Sequence, residues 1–335
     1  MSEDEVDDIF VNDRRLPESQ QYLEQEVRNV LDSLGRVRQE VYAADGAFRL
    51  TPEWVNEKHS QLLSSLDVAD YVTPGEYRTV SVVVGTYRGA PAEDVPFLMQ
   101  KLCDWINEIM DSAARTSTKD EAFFLTFFAA TLAHLYLAWI HPYGDGNGRT
   151  ARLIECAILA HSGLVPWIST NVLSDYYNRT RTRYYEKLDA ASKQRDVAGF
   201  IAYSALGFRD QLREQVQTVQ VQQRGVAWIN YVHERFQHEP ATDIARRRRA
   251  VVLAMLPGVE YSRKEVRYLT PDISSFYDGT SDRLFRRDMG KLIELELIKE
   301  RPSGKYESCI WRMDAFMPQP EYGAYAPVFE RRDVS

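Results

Sequence analysis

Residues 141–152 read HPYGDGNGRTAR, and each residue type in that run has a use in handling a polyphosphate. Gly144, Gly146 and Gly148 fall within five positions, so the backbone can turn through positive φ and bring its N–H groups against a ligand that side chains would otherwise block. The helical pattern resumes at about Arg149, which makes the end of the loop a helix N-terminus, with unpaired N–H groups and the positive end of the helix dipole. Arg149 and Arg152 are three apart and project from one helix face, placed to grip two phosphates of one molecule. Asp145 offers a hard oxygen for Mg²⁺. His141, at the opposite end of the loop, offers an imidazole that takes a proton near neutral pH. The chemistry is phosphoryl or nucleotidyl transfer. Taken singly, a Gly-rich turn, two arginines one turn apart and a lone histidine are ordinary structural features; their coincidence within twelve residues is what favours a site.

The run resembles the signature of the Fic family, HPF-x-[D/E]-GNGR-x-x-R, with Tyr143 standing where phenylalanine is usual. The resemblance implies a protein adenylyltransferase: AMP passes from ATP to a Ser, Thr or Tyr hydroxyl of a target protein, self-modification included, and pyrophosphate leaves. It implies His141 as general base, Asp145 as Mg²⁺ ligand, and a nucleotide-binding stretch of Asp145, Gly146, Asn147, Gly148, Arg149, Thr150, Ala151 and Arg152. The Doc-like branch, which phosphorylates, has lysine where this chain has Gly148, so Gly148 favours AMP transfer. Val84, Gly85, Thr86 and Tyr87 match the part of the family's flap nearest the nucleotide, a hairpin that holds the target segment as an added strand. Tyr184 and Tyr185 resemble the family's YY-x-x-L segment beside the nucleoside, with Ser192 where asparagine is frequent. The family's inhibitory motif, [S/T]-x-x-x-E-[G/N], has no match, since no Glu-Gly or Glu-Asn pair occurs in the chain. Its nearest echo, ending in Asp45-Gly46, reads as a turn after a helix. Two rivals stand beside adenylylation: a nucleotide-sensing DNA regulator that transfers nothing, and transfer of another nucleotidyl or phosphoryl group.

The elements that must position these residues are mostly helical. Apolar residues recur at helical spacing from Pro17 to about Asp67, with Thr51-Pro52-Glu53 as a helix start. A β-branched run from Arg78 to Gly85 after the Pro74-Gly75 turn predicts a short strand or hairpin. Ala122–Ile140 is nearly all apolar but contains His134 and leads directly into the polar loop, so it reads as a central core helix rather than a membrane span. His134 reads as a hydrogen-bonded core residue. A helix to Ser162, ended by Gly163, and another carrying Tyr184 follow. The predicted fold class is mostly α: a Fic-type helical domain with a small β-hairpin flap, and a C-terminal winged-helix-like domain. The expected boundaries are an acidic tail 1–16, a catalytic domain 17–209, a connecting helix 210–240, the second domain 241–315 and a tail 316–335. In the second domain Thr280 is the expected cap of a third helix, whose Arg283, Arg286, Arg287 and Lys291 present a basic face. Such a face is ordinarily solvated surface, and DNA contact is its alternative reading.

With 44% hydrophobic and 12% aromatic residues in 335, the chain can bury a large core. A formal net charge of −8 excludes a wholly basic nucleic-acid binder, so any DNA contact must be local. Cys103, Cys156 and Cys309 are scattered and lack metal-ligand spacing, and the acidic start is unlike a signal peptide. The chain reads as cytoplasmic, without structural zinc, and a homodimer is compatible with it.

Overall fold

The computed structural model describes residues 17, 20–84, 87–237, 239–240 and 242–316. The expected acidic tail and nearly all of the expected C-terminal tail therefore lie outside the described residues, as do Gly85 and Thr86. The chain divides into two compact units, residues 1–214 and 215–335.

In the first unit, α1 (Gln21–Ala43) buries Asn29, Ser33, Val37 and Val41, a four-residue repeat that marks one helix face. Asn29 donates to the carbonyls of Leu62 (3.2 Å) and Ser64 (2.6 Å), closing the C-terminal end of α2 (Pro52–Leu62). Thr51 caps α2 by accepting from the Trp54 N–H at 3.2 Å, with Pro52 at the first helical position, as its sequence predicts. The strand expected over Arg78–Gly85 is shorter. Among the described residues there, only Val83–Val84 (β1) and Tyr87–Arg88 (β2) pair, antiparallel, in register Val83↔Arg88 and Val84↔Tyr87. The run before β1 is held instead by the Arg78 side chain, for the reason given below.

Helices α3 (Val95–Arg115), α4 (Lys119–Ile140) and α5 (Asn147–His161) form the centre, with α4 packed against both others. The apolar α4 is long enough to cross a membrane by length and composition, yet Ala129, Ala130, Ala133, Leu135 and Leu137 are buried in the protein core. Gly163, at φ +65°, ends the run after α5. Then come α6 (Val172–Arg179), α7 (Arg181–Lys193) and the 39-residue α8 (Val197–Arg235). The expected connecting helix is thus part of a longer one. Its early residues Phe200, Tyr203 and Phe208 belong to the core of the first unit, and its late residues Trp228 and Val232 to that of the second.

The second unit runs α9 (Asp243–Ala254), α10 (Arg263–Arg267), α11 (Pro271–Tyr277), α12 (Asp282–Glu294), β3 (Ile298–Glu300) and β4 (Tyr306–Ser308). An isolated antiparallel bridge joins Tyr261 to Tyr306 beside the two-stranded β3–β4 hairpin. The stretch Pro271–Gly279 is mostly the helix α11, capped by Thr270. Thr280 does not cap α12: its hydroxyl donates back to the Tyr277 carbonyl at 2.8 Å, and Ser281 takes the cap position. Inside this unit the buried Asp288 accepts from Arg247 (2.7 Å), Arg248 (2.8 Å) and the Tyr277 hydroxyl (3.2 Å), joining α9, α11 and α12.

Candidate active site

His141 closes α4 in the left-handed conformation, φ +52° and ψ +58°, which a non-glycine residue holds only when its surroundings enforce it. Its N–H bonds the Leu137 carbonyl at 2.9 Å. Its ring Nδ1 lies 3.4 Å from the Ala138 carbonyl; a proton there leaves Nε2 as the free lone pair. Burial, with the Arg78 charge as a smaller cause in the same direction, lowers the His141 pKa below its ordinary value. The imidazole is therefore neutral at pH 7 and able to accept a proton.

The loop that follows is braced by its own side chains and by α2. Asn147 accepts from the Tyr143 N–H (2.9 Å) and donates to the Tyr143 carbonyl (2.8 Å), so its buried amide closes the loop on itself. The Tyr143 ring is fully buried, stacks on His59 at 3.6 Å with an interplanar angle of 4°, and donates its hydroxyl to Asn56 at 2.7 Å. His59 is fully buried too. Its Nδ1 accepts from the Gly75 N–H at 2.9 Å, which leaves Nε2 to donate to the Asp145 carbonyl at 2.9 Å. Burial lowers its pKa to about 4, so this neutral tautomer persists across the physiological range. Gly146 sits at φ +76°, and a Cβ there would meet the His59 ring at 3.1 Å; both its conformation and its neighbour require glycine.

Gly146 is the cap of α5, whose first internal bond runs from the Thr150 N–H to the Gly146 carbonyl. The N–H groups of Asn147, Gly148 and Arg149 therefore belong to the open first turn and point out of the helix N-terminus, suited to an anion. The Thr150 hydroxyl donates to the Gly146 carbonyl and the Ala151 side chain is buried, so both turn inward and serve the helix. Arg149 lies 2.7 Å from Glu26 of α1 and 3.3 Å from Asp145. Arg152 has no ion-pair partner among the described residues, and a Cβ on Gly148 would come within 3.4 Å of its guanidinium.

Asp145 accepts the Gly146 N–H on Oδ1 at 2.6 Å and keeps its side chain 59% exposed. One exposed carboxylate beside an anion cradle suits Mg²⁺, which is commonly held by one or two carboxylates together with substrate phosphates and water. No group of three metal-ligating side chains exists among the described residues, as that mode of binding requires none.

The tyrosine pair divides. Tyr184 is buried and its hydroxyl meets His134 Nε2 at 2.9 Å, while His134 Nδ1 lies 3.1 Å from Glu155. The reading of His134 as a hydrogen-bonded core residue agrees with this. Tyr185 is 49% exposed and faces outward, and Ser192 is half-buried. Burial raises the Tyr184 pKa while the Arg152 charge opposes the rise, which places that guanidinium near the Tyr184 ring. Asp45-Gly46 is an exposed turn following α1.

Sequence reasoning missed three participants. His59 and Asn56 sit on a helix whose local signal is its apolar periodicity, and Arg78 opens a run whose residue types signal only a strand. The Arg78 guanidinium, 4% exposed, donates to the carbonyls of His141, Val80, Ala90 and Ile140.

Residues 49–159 match the model of the Fic/DOC family. The chain is 34% identical over 149 residues to the protein adenylyltransferase fic-1 of Caenorhabditis elegans, covering 44% of this chain and 25% of that one. It is 30% identical over 156 residues to the protein adenylyltransferase Fic of Drosophila willistoni, covering 47% and 27%. The chain thus spans about a quarter of the length of these curated relatives. Among solved structures it is similar to a Fic family protein of Desulfovibrio desulfuricans, at 22% identity and a TM-score of 0.48, covering 92% of this chain and 81% of that one. It is also similar to residues 134–508 of C. elegans Fic-1, at 22% identity and a TM-score of 0.49, covering 66% and 59%. The Fic/DOC match takes in the whole of the hairpin, the loop and nearly all of α5.

Proposed function

We propose that this chain transfers AMP from ATP to a hydroxyl side chain of a protein. The observation that carries the reading is a neutral, half-buried His141 at one end of a braced loop whose other end is the open N-terminus of α5, with Arg152 there lacking an ion-pair partner among the described residues. The N–H groups of the first turn and Arg152 hold the polyphosphate, and Arg149 joins them once it leaves Glu26. Asp145 would hold Mg²⁺, which neutralises phosphate charge when bound. His141 takes the proton of the attacking hydroxyl, whose oxygen bonds the α-phosphorus in line with the bond that breaks, and pyrophosphate leaves. Positioning and charge neutralisation supply most of the acceleration in such chemistry. The protein targets, self-modification, a cytoplasmic setting and a homodimer belong to the same proposal.

The test is incubation with ATP labelled at the α or the γ position, followed by intact mass of the protein and of acceptors in a cell extract. The expected result is α-label and a gain of one AMP. Label from the γ position alone would replace the reading with phosphoryl transfer.

For the second unit we read helix, isolated bridge, two short helices, helix and hairpin as a winged-helix-like order, with α12 in the place of a recognition helix. Arg283 and Arg287 are exposed on it and have no ion-pair partner among the described residues, which favours a local nucleic-acid contact.

A further inference from the structure

A helix leaves its last carbonyls without partners, and α4 ends at the catalytic end of the loop. Four successive carbonyls there are closed by a single short segment. The Tyr87 hydroxyl donates to Trp139 at 2.6 Å, Arg78 Nη2 to Ile140 at 3.2 Å, Arg78 Nε to His141 at 2.7 Å, and the Arg78 backbone N–H to Pro142 at 2.9 Å. The same guanidinium reaches both arms of the hairpin, through Val80 at 2.8 Å and through Ala90. The hairpin itself is closed by the β1–β2 pairing and by the Gly89 N–H on Val82 at 3.2 Å. Packing leaves no slack, because a Cβ on Gly89 would meet Arg78 at 3.1 Å and His141 at 3.3 Å.

We infer that Arg78, with Tyr87, is a positioning latch: it holds the left-handed His141 backbone in place and makes the position of the base depend on the hairpin. The inference rests on the reading of His141 as the base. Arg78 touches no substrate in this scheme. It is a buried cation with no carboxylate partner among the described residues, balanced by carbonyl dipoles at the negative end of α4, where a cation is favoured. Arginine is required because a planar fork with five donors can serve four carbonyls at once, and the single ammonium of lysine cannot reproduce those directions. Whatever binds along the hairpin, as an added strand does, therefore moves or steadies the base through this side chain.

Two variants test it in the full chain. Arg78→Lys keeps the charge and loses the fork. It is expected to lower kcat about 100-fold, the scale on which small misplacements of a reacting group act, while the KM for ATP stays within about two-fold. Tyr87→Phe removes one hydroxyl and leaves the fold. Its smaller loss in kcat is expected to be non-additive with Arg78→Lys, because both close one helix end. Parental kcat in both variants would overturn the latch.

A second readout does not need activity. In the ligand-free protein, the amide NMR signals of Trp139, Ile140, His141 and Tyr143 are expected to shift in Arg78→Lys and Tyr87→Phe. His141 faces the charges of Arg78 and Asp145, so Arg78→Gln is expected to raise its titration midpoint. If the parent transfers nothing yet these signals move, the latch stands and the functional reading fails. If transfer is present and neither kcat nor the signals change, the latch fails and the functional reading stands.

Discussion

Both units bury arginines, but they balance them differently. In the second unit Arg247 and Arg248 converge on the buried carboxylate of Asp288, so opposite charges meet inside the protein and tie α9 to α12, with the Tyr277 hydroxyl adding α11. In the first, Arg78 is balanced by backbone carbonyls alone, and Arg152 has no carboxylate within ion-pair range among the described residues. The difference separates structure from function. A neutralised cluster holds helices together and offers nothing to a ligand, whereas cations left without carboxylates maintain a positive field that suits a polyphosphate and adds to the burial that lowers the His141 pKa. Arg149 lies between these cases, since it leans on Glu26 and Asp145 but stands at the mouth of the anion cradle.

The comparison can be broken most forcefully at Asp288. Asp288→Asn leaves two buried guanidinium groups without their counter-charge, and loss of one partner of a buried pair costs about 3–5 kcal/mol. Urea denaturation of the full chain should show a loss of that size. An unchanged midpoint would mean that the cluster contributes nothing to the second unit. Arg152→Ala is expected to weaken ATP by about 1.5–3 kcal/mol, the value of a charge-assisted contact, with no comparable loss of stability. Calorimetric titration checks this, and unchanged affinity would remove Arg152 from the cradle. Replacing Arg283, Arg286 and Arg287 together is expected to change stability by no more than about 0.5 kcal/mol. The same change should weaken binding to duplex DNA at low salt and flatten its salt dependence. If the parent does not bind DNA at low salt, this face is solvated surface.

Helix periodicity, the Thr51 cap, the core character of α4 and the glycine-rich loop between α4 and α5 were all legible in the sequence, because each is written in neighbouring residues. The latch was not. Arg78 and His141 are 63 residues apart, and nothing local distinguishes an arginine that faces solvent from one that closes a helix end. His59 escaped for the same reason: its bond to Asp145 spans 86 residues, and only the fold brings the two together. Within the signature itself, residue types marked the candidate side chains but not which way they face. Asn147 and Thr150 brace the loop and the helix, leaving the outward role to backbone N–H groups and Arg152. The exchange of Thr280 for Ser281 as the cap of α12 is a one-residue matter that local types alone do not decide.

The central claim is that His141 is a base and not a ligand for the nucleotide, and His141→Ala tests it most directly. ATP affinity is measured by calorimetry and transfer by α-labelled ATP, in parallel with the parent. Loss of a transition-state interaction predicts that labelling disappears while ATP binds nearly as before. Labelling at the parental rate would contradict the account.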